Sequence, residues 1–152
     1  KALPDDFFHT VQSRTYQAIR DELQAIPGVR AAIEAIPLPR CVASSSEPEK
    51  IALSLTTTGL APLFEGRLYS ASQVARGKPF PDLFFHAAAQ MGIEPGNCVV
   101  VEDSPYGAAA ARAAGMAVLG YTGSGFADKL TDEGAEIFDT MADLPGLLGF
   151  PP

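Results

Sequence analysis

The sequence predicts an α/β fold built around a parallel β-sheet. Segments typical of strands alternate with segments typical of helices, and short connections join them. The clearest strand, residues 97–101, is a continuous β-branched run of the kind that parallel sheets bury on both faces. A chain of 152 residues, 47% of them apolar, suits one domain with a hydrophobic core of ordinary size.

The first half of the chain contains three predicted helices and one short strand. The first helix spans about residues 5–25. Five of its side chains fall on one face: Phe8, Val11, Thr15, Ile19 and Leu23. A second helix covers residues 29–36. A short strand at residues 40–43 then runs into three serines, and a proline in the first turn opens a helix over residues 48–58.

The second half repeats the order of strand and helix. A strand at residues 68–70 leads through a loop to a helix over residues 81–91, which Gly92 closes. The strand at residues 97–101 is followed by a helix at residues 105–114. The remaining predicted elements are a strand at residues 116–120, a short helix near residue 127, a strand at residues 136–138 and a last helix at residues 141–148.

The composition excludes several classes of partner. The net charge of −7 gives an acidic surface, which repels nucleic acid and anionic membranes, so we expect neither as a partner. Arg112 interrupts the longest alanine-rich stretch, which leaves no apolar run long enough to span a bilayer, and the first residues lack the apolar core of a signal peptide. Cys41 and Cys98 lie in apolar runs and are typical of small core residues in a reducing compartment. We therefore expect a cytoplasmic protein.

Two polar features suggest an anion site, each with a structural alternative. Ser44, Ser45 and Ser46 follow the strand at residues 40–43, and hydroxyls beside a helix N-terminus favour an anion, although serines there are also common helix caps. Lys78 lies in the loop before the helix at residues 81–91. A loop lysine is either a solvated charge or a ligand for an anion.

A third feature suggests a metal site. Glu102 and Asp103 follow the strand at residues 97–101, and adjacent carboxylates are the ligands that Mg²⁺ prefers. The alternative is that Asp103 or Ser104 caps the helix that begins at Pro105. Ligands of open parallel sheets bind at the carboxyl ends of the strands. A donor-rich turn, a lysine and an acidic pair in this order therefore predict a site for a phosphate bridged to Mg²⁺.

These motifs resemble those of the haloacid dehalogenase-like hydrolase superfamily over nearly the whole chain. Residues 41–46 resemble its motif II, residues 77–84 its motif III region, and residues 99–107 its motif IV in the form with a Glu-Asp pair. The similarity is to the subgroup of β-phosphoglucomutase-like enzymes and sugar-phosphate phosphatases. It implies a three-layer Rossmann-like core over residues 27–152, with residues 1–26 as the last helix of a helical cap.

The resemblance also implies roles for the polar residues. Ser44 would bind the transferring phosphoryl group with help from the Ser45 amide, and Lys78 would bridge that group to the nucleophile. Glu102 and Asp103 would hold Mg²⁺ directly or through water. The implied activity is Mg²⁺-dependent hydrolysis of a small phosphorylated metabolite, a sugar phosphate, through an aspartyl-phosphate. The alternatives are a phosphomutase of the β-phosphoglucomutase type and a non-catalytic binding domain.

One departure from the family pattern concerns the nucleophile. The family's Asp-x-Asp motif at the end of the first strand is absent from this chain. We therefore expect that strand and most of the cap to lie upstream of Lys1, and the 152-residue chain alone to be inactive. The chain would be a fragment, or its upstream residues would be unrecorded, or a partner chain or swapped copy would replace the strand. The open sheet position would expose backbone groups and allow self-association.

Overall fold

A computed structural model describes residue 4 and residues 6–150. Its α-helices are α1 (Phe7–Glu22), α2 (Val29–Ala35), α3 (Pro48–Thr57), α4 (Asp82–Met91), α5 (Pro105–Ala113), α6 (Ala127–Asp132) and α7 (Leu144–Leu147). Its strands are β1 (Val42–Ser44), β2 (Leu68–Ser70), β3 (Val99–Glu102), β4 (Ala117–Tyr121) and β5 (Glu136–Phe138). The predicted alternation of strands and helices is confirmed. Within the described residues, no helix combines the length and apolarity that a membrane span needs.

The strands form two parallel sheets. β1 pairs with β2, placing Val42 opposite Leu68. β4 lies between β3 and β5, and Val100 of β3 is opposite Val118 of β4. Among the described strands, β1 and β3 each have one paired edge, and they do not pair with each other. The predicted parallel architecture is therefore present but divided between β1 and β3.

Helices cover both faces of the three-stranded sheet. Val118 and Leu119 are neighbours on β4, so their side chains point to opposite faces. Val118 belongs to a buried cluster with side chains of α4, α5 and α6. Leu119 belongs to a second cluster with α2, β5 and the residues that begin α7. These two cores on either side of β4 give the three layers that the sequence predicts.

The apolar face of α1 is less buried than its pattern suggests. Ile19 is buried, but Phe8 is 76% exposed and Val11 is 46% exposed. α1 packs against α3, and a single neighbouring helix covers only part of such a face. The assignment of residues 1–26 to a cap remains a prediction, and its first residues lie partly outside the described part of the chain.

β3 departs from the expectation of a strand buried on both faces. None of its four residues is fully buried, whereas three of the five in β4 are. The reason is a cavity of about 570 Å³ along the edge of β3 that faces away from β4. We define this cavity as the slot. It is lined by β1 and β3, by α4 and by α2 and α7, and its lining includes Ile33, Ala43, Phe84, Ala88, Val101 and Leu144.

Candidate functional site

Lys78 connects the two strands that border the slot. Its Nζ donates a hydrogen bond to the Ala43 carbonyl of β1 at 3.1 Å and forms an ion pair with the Glu102 carboxylate at the end of β3. The Lys78 and Glu102 side chains are each only 10% exposed, and Nζ lies 4.9 Å from the centroid of the Phe84 ring. Lys78 is therefore a nearly buried ammonium at the carboxyl ends of β1 and β3, and not a solvated loop charge.

The Glu102 carboxylate is held from two sides. Oε1 accepts from Lys78, and Oε2 accepts from the Ser104 hydroxyl at 3.0 Å. Ser104 is the N-cap of α5, because its Oγ also accepts from the Gly107 amide at 3.0 Å. A Cβ at Gly107 would overlap the Glu102 carboxylate, so the absence of a side chain here lets α5 approach that carboxylate in its observed position. The helix-cap alternative is thus confirmed for Ser104, while Glu102 has a separate partner.

Asp103 differs from its neighbour in exposure and in contacts. Its side chain is exposed and makes no ion pair or hydrogen bond within the described residues. Its backbone carbonyl accepts from the Ser124 hydroxyl at 2.7 Å. Ser124 follows β4, whose carboxyl end lies at the same edge of the sheet as that of β3. We did not predict this contact, although the position of Ser124 after a strand was a signal for it in the sequence.

The serines after β1 do not cap α3. The N-cap of α3 is Glu47, and it makes no side-chain capping bond, so the serine-cap alternative is wrong. Instead, Ser44 Oγ accepts from the Ser46 amide at 3.1 Å. The Ser46 carbonyl accepts from Ser70 Oγ at 2.7 Å, which ties this turn to the end of β2. Ser44 retains its own hydroxyl proton for donation, and Ser45 is exposed between the two bonded residues.

The side chains at this site include the kind of ligand that Mg²⁺ prefers, but there are too few of them to hold the ion alone. Glu102 and Asp103 supply carboxylate oxygens, the ligands that this ion prefers, but it takes near-ideal octahedral coordination. Both Glu102 oxygens already have partners within the chain. In the part of the chain that the structure describes, no three His, Cys, Asp or Glu side chains converge to hold a metal ion. The described residues offer part of a metal site, with Asp103 as the available carboxylate.

The two cysteines line the slot. Cys41 and Cys98 are free thiols of intermediate exposure, in contrast to the core positions expected for them. Burial raises the pKa of the Cys41 thiol, and the nearby Cys98 raises it further. Burial also raises the pKa of Cys98. A raised pKa disfavours the thiolate form of each cysteine.

An Arg-Asp pair stabilises the loop that carries Lys78. The Arg76 guanidinium donates two hydrogen bonds to the Asp82 carboxylate, at 3.0 and 2.8 Å, and stacks 4.6 Å from the Phe80 ring centroid. Hydrogen bonding to Arg76 lowers the pKa of Asp82. The sequence left open whether Arg76 contacts a substrate or only solvent. Its side chain is engaged within the loop.

Comparison with known proteins identifies the family pattern. The family model of haloacid dehalogenase-like hydrolases matches residues 2–115. The 6-phosphogluconate phosphatase of Escherichia coli (strain K12) is 31% identical over 139 residues, which cover 91% of the chain and 63% of that enzyme. The chain therefore spans less than two thirds of the length of this relative.

Solved structures reproduce the fold over nearly all of the chain. A haloacid dehalogenase-like protein of unknown function from Agrobacterium tumefaciens is 38% identical with a TM-score of 0.88, over 97% of the chain and 70% of that protein. A hydrolase from Deinococcus radiodurans R1, with bound phosphate and sodium, is 34% identical with a TM-score of 0.85, over 98% of the chain and 69% of that protein.

Proposed function

Because the chain belongs to the haloacid dehalogenase-like hydrolase family, we propose that the complete protein is a Mg²⁺-dependent phosphomonoesterase acting on a sugar phosphate. The observation that supports this most is the nearly buried ammonium of Lys78 at the carboxyl ends of β1 and β3. Ser44 and the Glu102-Asp103 pair end the same two strands. The similarity to the 6-phosphogluconate phosphatase of Escherichia coli supports the substrate class.

The proposed roles follow from what each group can donate. The Lys78 ammonium neutralises phosphoryl oxygens, and Glu102 orients it. The Ser44 hydroxyl and the Ser45 amide donate hydrogen bonds to one of those oxygens. Mg²⁺, when bound, supplies further neutralisation of phosphate charge. Glu102 and Asp103 would hold it directly or through water.

The nucleophile in this proposal is an aspartate that the 152 residues do not contain. Its carboxylate attacks phosphorus and the bond from phosphorus to the substrate oxygen breaks. The second aspartate of the family's Asp-x-Asp motif would give that oxygen its proton as it leaves. Water then hydrolyses the aspartyl-phosphate and releases inorganic phosphate. The 152-residue chain has no Asp-x-Asp motif, so we propose that it is inactive by itself. Turnover by this chain without a partner would contradict that statement.

The test is phosphate release by the full-length protein from a panel of sugar phosphates that includes 6-phosphogluconate. We expect release that depends on Mg²⁺, and a fall in kcat/KM of about 100-fold or more for Lys78→Ala. Arg112→Ala is the control, because Arg112 pairs with Glu133 on the surface, away from the site. No release with Mg²⁺, or undiminished release by Lys78→Ala, would overturn the proposal. Isomerised sugar phosphate without net phosphate release would indicate a phosphomutase instead.

A further inference from the structure

We infer that Ser70 is a positioning residue of the proposed phosphate site, and that it sets where the donors of Ser44 and Ser45 stand relative to Lys78. The inference rests on the proposed function, because it concerns how the same site holds a phosphoryl group. Ser70 ends β2, and its side chain is 1% exposed. Among the described residues, no other polar or charged residue is as completely buried.

The sheet register places Ser70 beside the serine turn that follows β1. In the parallel pair of β1 and β2, Ser70 lies opposite Ser44. Ser70 Oγ donates to the Ser46 carbonyl at 2.7 Å, and Ser44 Oγ accepts from the Ser46 amide at 3.1 Å. The backbone of Ser46 is thus held at both its carbonyl and its amide. These two bonds fix the turn from which the Ser44 hydroxyl and the Ser45 amide would donate to a phosphoryl oxygen.

The Ser70 hydroxyl uses all of its hydrogen-bonding capacity within the chain. A serine hydroxyl has one proton to donate and two lone pairs that accept. The proton goes to the Ser46 carbonyl, and one lone pair accepts from the Ser72 amide at 3.1 Å. The Ser72 hydroxyl lies 2.9 Å away and must be the donor in that contact, because the Ser70 proton is already used. Ser70 therefore has no proton left for a phosphate and acts only through the turn.

The segment that begins at Ser70 also carries Lys78 to the site. Ser70 is the N-cap of a short 3₁₀ helix, and Lys78 lies in the loop beyond that helix. Lys78 Nζ donates to the Ala43 carbonyl at 3.1 Å. The segment therefore holds the turn at two carbonyls, one before Ser44 and one after it. This arrangement keeps the serine donors and the lysine ammonium at one spacing, as binding of a single phosphoryl group requires.

Loss of the Ser70 hydroxyl should loosen the turn without removing any donor from it. In Ser70→Ala, the Ser46 carbonyl loses its partner, while the bond between Ser44 and the Ser46 amide remains. A misplacement of about 1 Å lowers catalysis by about 100-fold, and one remaining bond limits the movement, so we expect a loss of about tenfold. The loss should fall on kcat, because donors aimed at phosphoryl oxygens act most strongly as charge develops in the transition state.

The experiment is a double-mutant cycle in the full-length protein, with phosphate release from 6-phosphogluconate and other sugar phosphates as the assay. Ser70→Ala and Ser44→Ala are measured singly and together. Ser44→Ala has already lost the bond to the Ser46 amide, so little of the turn is left for Ser70 to position. Gln73→Ala is the matched control. Its side chain accepts from the Ser70 amide at 2.7 Å, so the substitution weakens the same 3₁₀ cap but leaves the bond to Ser46 in place.

We expect Ser70→Ala to lower kcat/KM about tenfold in the wild-type background and less than about threefold in the Ser44→Ala background, with KM changed less than about threefold in both. Gln73→Ala should change kcat/KM less than about twofold. If Ser70→Ala does not fold by circular dichroism, Ser70→Cys replaces it in the cycle, because a thiol of similar size is a weak donor.

Four results would overturn the inference while the proposed function stands. They are no loss in Ser70→Ala, the same loss in both backgrounds, a loss that lies in KM alone, and an equal loss in Gln73→Ala. Absence of phosphate release from the wild-type full-length protein would overturn the proposed function and this inference together.

Discussion

A comparison of β3 with β4 shows how much the burial of a strand depends on the strands beside it. β3 is the more continuously apolar strand, yet Val101 is 41% exposed where it borders the slot. β4 contains a glycine, yet Val118 and Leu119 are only 8% and 5% exposed, because strands flank β4 on both edges. The apolar pattern of a strand therefore indicates that its side chains favour burial, and the adjacent strands determine whether those side chains are buried.

The largest effect is expected from the ion pair between Lys78 and Glu102, because Lys78 connects β1 to β3 beside the slot. Removing one partner of a buried ion pair lowers the free energy of unfolding by about 3–5 kcal/mol. Both side chains of this pair keep 10% of their surface exposed, so we expect Lys78→Met to lower it by about 3 kcal/mol, at the low end of that range. The double variant Lys78→Met/Glu102→Gln should recover most of that loss, because no charge then lacks a partner. Urea denaturation of the 152-residue chain measures both. Equal losses of stability in the single and double variants would show that the ion pair does not connect β1 to β3.

Substitution of two valines compares a strand position in the core, Val118, with one that borders the slot, Val101. Val118→Ala removes buried methyl groups from the core and should cost about 1.5–3 kcal/mol in the free energy of unfolding. Val101→Ala acts on a side chain that already contacts solvent and should cost less than about 1 kcal/mol. Chemical denaturation of the two variants under one set of conditions gives the difference. Equal costs would mean that the slot is closed in solution.

A smaller effect is expected at the contact between α5 and β3, the strand that borders the slot. In Gly107→Ala, the new methyl group would overlap the Glu102 carboxylate, which must swing away from Lys78, and we expect a loss of about 1–2 kcal/mol. Gly96→Ala is the control, because nothing lies within 4 Å of its added Cβ. Thermal unfolding of both variants is the measurement. A Gly107→Ala protein as stable as the Gly96→Ala protein would contradict the close approach of α5.

The smallest expected effect lies in the exposed loop beside the slot. Arg76 lowers the pKa of Asp82 in the folded chain, so the pair stabilises the fold above the ordinary pKa and stops doing so as the pH falls through the lowered value. In Arg76→Ala we expect the pKa of Asp82 to rise toward the ordinary value of an aspartate. Carbon-13 NMR of the carboxyl group measures it, with Arg112→Ala as the control. An unchanged midpoint would mean that the pair does not persist in solution.

The order of elements was predictable because it depends on local pattern. The strand at residues 68–70 and the helix beginning near Pro48 follow from short apolar runs and from proline in a first turn. The family resemblance was likewise contained in short motifs, and the match over residues 2–115 confirms it. The division of the sheet was expected from a missing motif and not from any pattern within the strands.

Contacts between distant residues were not predictable in the same way. Lys78 and Glu102 are 24 residues apart, and no local pattern distinguishes a loop lysine that reaches a carboxylate from one in solvent. The exposure of Phe8 and of Val101 depends on what packs beside them, which periodicity does not report. The roles of Ser44, Ser45, Lys78, Glu102 and Asp103 in phosphate and metal binding stay predictions.

The composition of α5 has a consequence for the order in which the molecule assembles. Its buried face is made of small residues, including Ala108, Ala110 and Ala111, which lose no rotamer entropy when the helix docks. The unit from β3 through α5 to β4 also closes over a short stretch of chain, so its contacts form at low loop-closure cost. We expect φ-values to be high there, which means that β3, α5 and β4 form native contacts before the rest of the fold does.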